Sequence, residues 1–151
     1  MLISTGNLFA QELSFSIKTD KTTYRKGEPV SCSLILKNVS GKEIVINNRF
    51  LVNRATGPHE ITLQVINPGL HPVPFSSKVN ASYQSNMYTK LLPGKTITNK
   101  YVLTEDHEIS DTGNYTITAY YENLKDAPAS LKLPASWKGT LISPKVSFTI
   151  R

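Results

Sequence analysis

The 151-residue sequence predicts an all-β domain, two antiparallel sheets packed as a sandwich. Three observations point there. Apolar and polar residues alternate over several short stretches, the period of a half-buried strand. Turn residues separate those stretches at short intervals. No stretch of useful length holds the period of an amphipathic helix.

Leu13, Phe15 and Ile17 alternate with Ser14, Ser16 and Lys18 and predict the first strand. Asp20 to Glu28 reads as a turn closed by Lys26-Gly27. Val30, Cys32, Leu34 and Leu36 then alternate with Ser31, Ser33, Ile35 and Lys37, the clearest strand of the chain. Asn38 to Lys42 is a turn of Asn, Ser and Gly. Glu43 to Asn53 reads as extended, with a break at Gly57-Pro58. Ile61, Leu63 and Val65 predict the next strand, ended by Asn67-Pro68-Gly69. Val73, between Pro72 and Pro74, fits only an edge or irregular strand. Ser76 to Asn86 is polar and reads as loop. Tyr88 to Leu92 runs into the turn dipeptide Pro93-Gly94, and Ile97, Tyr101 and Leu103 resume. Tyr115, Ile117, Ala119 and Tyr121 alternate with Thr116, Thr118 and Tyr120. Val146, Phe148 and Ile150 close the series, for about seven to nine strands. Asn123 to Ser143 is read as a long loop joining the last two, because Pro128 and Pro134 interrupt it. Loops of that length carry function or are disordered.

The chain is long enough to bury a core without disulfide or metal staples. Its formal net charge is +6, from 17 Lys and Arg against 11 Asp and Glu. Lys18, Lys37, Lys78, Lys100 and Lys138 stand far apart, so the charge reads as solubility, leaving at most a diffuse attraction to anionic envelope polymers or acidic proteins. No basic run or motif predicts nucleic-acid binding. No apolar run is long enough for a transmembrane helix. Residues 1–11 end in Phe9-Ala10-Gln11, a small-residue, cleavage-like site. They read either as the tail of a signal peptide or as a disordered tail, with the domain over 12–151. The first reading places the protein outside the cytoplasm, secreted or periplasmic.

Asp111-Thr112-Gly113-Asn114-Tyr115 is the most specific local signal. It has the form of a tyrosine corner: Gly113 permits the turn, Asp111 bonds nearby backbone, and the Tyr115 hydroxyl reaches back to the chain. In antibody-type domains a Cys follows two residues later. Ile117 holds that place here, so Cys32, the one cysteine, is expected to pack as a small buried hydrophobe.

Tyr24-Arg25-Lys26-Gly27-Glu28-Pro29-Val30 with Leu34-Ile35-Leu36-Lys37-Asn38-Val39-Ser40, then Leu91-Leu92-Pro93-Gly94 and Gly113-Asn114-Tyr115-Thr116-Ile117, resembles bacterial immunoglobulin-like domains. The scheme is similar to that of the bacterial intracellular proteinase inhibitor family and of propeptides of deuterolysin-type metalloproteases. The resemblance implies an immunoglobulin-like sandwich and says little of function.

Catalytic chemistry finds little to build on. His59, His71 and His107 lack metal-ligand spacing and read as exposed loop residues. Asp106-His107-Glu108 reads as a solvated turn. Glu105, Asp106 and Glu108 share one short loop and cannot face each other across a cleft. No nucleophile motif, metal site, Gly-rich phosphate loop or cofactor is predicted. The sequons at Asn38, Asn80 and Asn114 are short enough to arise by chance.

A non-catalytic binding module of the cell envelope, serving a protein partner, is the expected function. A proteinase inhibitor acting through an exposed loop is the first alternative, and a carbohydrate-binding module the second. Leu131, Leu133, Trp137 and Lys138 on the long loop are the candidate contacts. Trp137 reads either as an exposed anchor or as a plug on the end of the core. Asn47, Asn48, Arg49 and Asn53 form a second polar set, either contacts or an edge-strand guard.

Overall fold

A computed structural model describes residues 11–52, 59–76 and 87–151. The N-terminal residues 1–10, Asn53, the Gly57-Pro58 break, Lys78 and the Asn80 sequon lie outside the described residues. The strands are Leu13–Thr19 (β1), Thr23–Tyr24 (β2), Ser31–Asn38 (β3), Ile44–Asn47 (β4), Ile61–Ile66 (β5), Tyr88–Leu91 (β6), Thr96–Val102 (β7), Gly113–Asn123 (β8), Gly139–Ile142 (β9) and Val146–Ile150 (β10). A single helical turn, Leu103–Asp106 (α1), follows β7. No helix among the described residues is long and apolar enough to cross a membrane.

The fold is an all-β sandwich. One sheet has the order β1-β3-β7, the other β2-β10-β8-β5, and β4 and β6 form a third pair. Among the described residues, the ladders between these strands are antiparallel except that of β2 with β10. The alternation decides which side is buried. Leu13, Phe15 and Ile17 of β1 and Cys32, Leu34 and Leu36 of β3 face inward. Tyr115, Ile117, Ala119 and Tyr121 of β8 meet them from the other sheet.

Two strand breaks position the rest. β9 and β10 both pair with β8 on the edge opposite β5, so they behave as one strand interrupted at Ser143-Pro144-Lys145. Pro144 has no N–H to give the ladder, and Ser143 makes up the loss. Ser143 N–H donates to Ala119 O and its hydroxyl accepts Ala119 N–H, both at 2.8 Å. The long connection thus contains a strand, β9, which brings the strands among the described residues to ten. The β3–β7 ladder likewise resumes as β4–β6 beyond a break at Asn38. The fully buried Asn38 amide donates to Lys42 O and Leu91 O, each at 2.8 Å, and accepts Ser40 N–H at 2.9 Å. Asn38-Val39-Ser40 is therefore a structural turn whose amide is closed to a glycan.

The tyrosine corner is present, with one correction. Tyr115 hydroxyl donates to Asp111 O and accepts Asp111 N–H, both at 3.0 Å. The Asp111 backbone makes these bonds, not its carboxylate. Gly113 has φ +126°, and a Cβ there would lie 2.8 Å from Pro68 Cβ. Cys32 is buried, and burial pushes its thiol up to about 12.

His107 is not an exposed loop residue. It is 3% exposed, with Phe75 and Tyr101 ring to ring against it at 5.6 and 6.5 Å. Its Nδ1–H donates to Leu103 O at 3.3 Å, because a carbonyl can only accept. Nε2 is then a bare acceptor, buried without a partner. Asp106 beside it is engaged by the Tyr101 hydroxyl at 2.6 Å. Desolvation outweighs the attraction of Leu103 O and Asp106 and lowers the His107 pKa.

Two predictions follow from these placements. Gly113→Ala is expected to cost roughly 2–4 kcal/mol and Tyr115→Phe about 1–2 kcal/mol, while Asp111→Ala stays within about 0.5 kcal/mol. Urea unfolding at neutral pH measures all three, and an Asp111→Ala loss as large as that of Tyr115→Phe would restore a role for the carboxylate. Because the folded His107 pKa lies below the unfolded value of about 6.5, the unfolded chain binds the proton first. Stability is therefore full above about pH 6.5 and declines as pH falls toward the folded pKa. The wild-type chain should lose more stability between about pH 7 and 5.5 than His107→Phe does, and parallel profiles would refute this.

Candidate functional site

The candidate site is the connection between β8 and β9, residues 124–138. It leaves β8 at Asn123, a buried polar residue at the inward end of the strand alternation. A buried amide must find partners, and here the loop backbone supplies them. Asn123 Nδ2 donates to Lys125 O at 2.9 Å, to Trp137 O at 2.8 Å and toward Ser136 Oγ at 3.2 Å. The Tyr88 hydroxyl lies 3.3 Å from both Asn123 Oδ1 and Lys125 O. One side chain thus ties the departing and returning arms of the loop.

Ser136 adds a second clamp. Its N–H donates to Asp126 Oδ1 at 2.9 Å and its hydroxyl to Lys125 O at 2.5 Å. Lys138 Nζ donates to the same carboxylate oxygen at 2.8 Å. The Lys138 ammonium and the Ser136 N–H hold Asp126 below the usual carboxylate range. Lys138 is therefore part of the loop's own bracing.

The returning arm docks on the edge of β4. Trp137 N–H donates to Val45 O at 2.8 Å, beside a parallel bridge between Val45 and Ser136. Trp137 is half-buried. Its ring packs against Tyr121 at 5.9 Å and would lie 3.1 Å from a Cβ on Gly139, so it occupies the space that glycine leaves. It also lines an open cavity of about 210 Å³ with Glu12, Glu43, Val45, Pro134 and Ala135. The ring is therefore a plug on the end of the core, on a residue that also borders the cavity. The cavity's carboxylates are already paired, Glu12 with Lys42 at 2.7 Å and Glu43 with Lys90 at 3.3 Å.

The tip lies over Pro128 to Ala135. A 3-10 turn at Ala129–Leu131 ends on Lys132, whose φ of 51° is left-handed. Leu131 and Leu133 are half-buried, while Lys132, Pro134 and Ala135 are exposed. The structure thus brings Leu131, Leu133, Trp137 and Lys138 onto one braced loop. Asn123, Asp126, Ser136 and Val45, which hold it, carry no sequence signal of that role.

The described members of the second polar set, Asn47, Asn48 and Arg49, are engaged within the fold. Asn47 is buried and accepts Arg49 N–H at 3.1 Å, and Asn48 N–H donates to Met87 O at 2.6 Å. Arg49 and Glu60 form a two-pronged ion pair at 2.7 and 2.6 Å, nearly closed to solvent. Among the described residues no group of His, Cys, Asp and Glu gathers as a metal site.

Asn123→Ala should strand several loop carbonyls without a donor, costing roughly 1–3 kcal/mol and exposing the loop to exchange and cleavage. Lys138→Ala removes only an exposed ion pair and should cost less than about 1 kcal/mol. Amide exchange over 124–138 separates them, and unchanged protection in Asn123→Ala would show that the loop holds without the amide. Compared with known proteins, the chain matches no protein-family model and no curated protein.

Proposed function

We propose that the chain is a non-catalytic, exported immunoglobulin-like module of the cell envelope that engages a protein partner through loop 124–138. The observation that carries this reading is the bracing. Most loops lose conformational freedom when they bind, and that loss weakens binding. Here buried bonds from Asn123 and Ser136 have already ordered the loop, while Lys132, Pro134 and Ala135 stay exposed. Half-buried Leu131, Leu133 and Trp137 add apolar surface at that rim. The parallel strand pair β2–β10 and the corner at Tyr115 support the immunoglobulin-like assignment. Export rests on the Phe9-Ala10-Gln11 pattern alone.

The same bracing favours a second reading, a proteinase inhibitor, because an inhibitory loop must enter a protease cleft without yielding to it. A carbohydrate platform has less support, since the Trp137 ring is partly spent on Tyr121 and Gly139.

A photo-cross-linking residue at Ala135, compared with one at exposed Thr98 on β7, tests the partner reading in cells. A discrete adduct from Ala135 alone is expected, weakened severalfold by Leu133→Asp. Adducts equal at both positions, or none, would defeat it. A protease panel tests the second reading: slowed proteolysis with the loop intact is expected of an inhibitor, and cleavage in the loop at full enzyme activity rules it out.

A further inference from the structure

Three cations lie within the turn after β1, Lys21, Arg25 and Lys26, and the pairing of β10 with β2 brings the remote Arg151 beside them near the Gly113 end of β8. An open groove of about 930 Å³ is lined by Lys21, Arg25, Lys26 and Arg151, together with Thr23, Tyr24, Gly27 and one carboxylate, Glu28. Backbone bonds hold this gathering. Arg151 N–H donates to Tyr24 O at 2.9 Å, and Lys26 N–H donates to Arg151 O at 2.8 Å. The turn from Arg25 is closed by Glu28 N–H on Arg25 O at 3.0 Å, with Gly27 at φ +82°. The side chains therefore spring from one fixed frame.

The side-chain carboxylates in and beside the groove, Glu28 and Asp20, are already engaged. Glu28 pairs with Lys21 and accepts Arg25 N–H at 2.8 Å. Asp20 accepts the Tyr24 hydroxyl. Arg25, Lys26 and Arg151 are exposed and make no ion pair among the described residues. Three like charges on one concave surface repel each other, and a multiply charged anion relieves that repulsion. Two guanidinium groups favour an anion with several oxygens in a fixed array, because their forks bind such groups two-pronged.

We propose that this groove binds a phosphoryl anion, with Arg25 and Arg151 as forks and Lys26 as a point charge. Its size lies within the range of about 300–1,000 Å³ seen for small-molecule sites. That is room for a diphosphate or phosphate ester, carried on a soluble molecule or on a lipid headgroup.

Calorimetry of the full chain with inorganic pyrophosphate tests this, alongside co-sedimentation with phosphatidylcholine vesicles with and without phosphatidylglycerol. Saturable binding in at least one arm is expected, weakened about tenfold or more in the double variant Arg25→Ala, Arg151→Ala. The double variant Lys37→Ala, Lys100→Ala removes equal charge elsewhere and should stay within about threefold of wild type. Thermal melts confirm that both variants fold, and Arg25→Lys, which keeps the charge and loses the fork, should fall between. Pyrophosphate binding places the anion on a soluble ligand, and binding only to phosphatidylglycerol vesicles places it on a headgroup. Absence of saturable binding in both arms, or equal weakening by the two double variants, would overturn the proposal.

Discussion

Tyr121 is where the separate parts of this fold meet. Its fully buried ring touches Phe15 of β1, Phe50 beyond β4 and Trp137 of the long loop, with centroids 5.9, 5.6 and 5.9 Å away. Taking a tyrosine ring out of water removes about 150–250 Å² of surface, worth about 4–6 kcal/mol. That gain is kept only if the hydroxyl finds an acceptor, since an unpaired one forfeits about 1–3 kcal/mol. Tyr121 donates to Asn47 O at 2.8 Å, and burial raises its pKa so that it stays a donor. One side chain therefore sets how close β1, the end of β4 and the loop come to β8.

The same rule governs the places where regular pairing stops. Asn38, Ser143 and Asn123 are all buried polar residues, and each sits at the end of a strand or a break in a ladder. A buried backbone N–H or C=O left without a partner is costly, so a strand cannot end inside the protein unless something replaces the missing neighbour. A short amide or hydroxyl does so with little bulk. The loop at 124–138 is consequently braced like the sandwich it leaves, by bonds rather than by packing alone.

The strands were legible because a period of two is a local property. Leu13 to Ile17, Cys32 to Leu36 and Tyr115 to Tyr121 declare their inward side within a few residues. β9 was hidden because Gly139 to Ile142 is short and stands directly before the Ser143-Pro144 break. His107 misled because its sequence neighbours, Asp106 and Glu108, are charged, whereas Phe75, which helps to bury it, is remote in sequence. Trp137 was legible as the one tryptophan, but its clamp was not. Whether Asn123 meets Lys125 O and Trp137 O depends on where the backbone returns, which no local pattern encodes. The gathering of Lys21, Arg25 and Lys26 with Arg151 has the same character, arising only when β10 lies against β2.

The braced loop and the cationic groove lie at opposite ends of β8, which is 11 residues long. At a rise of about 3.3 Å per residue their ends are about 33 Å apart. Charges at the surface are screened over about 8 Å at physiological salt, so neither site feels the other's field. One route for mechanical coupling is the edge of β8 that carries β9 at the loop end and β10 at the groove end. That edge is interrupted at Ser143, whose hydroxyl ties the break to Ala119 and leaves β9 and β10 as separate ladders. Screening over this distance, together with the interrupted β9–β10 edge, predicts that if both proposed sites bind, occupancy of one leaves affinity at the other little changed, and by linkage the reverse.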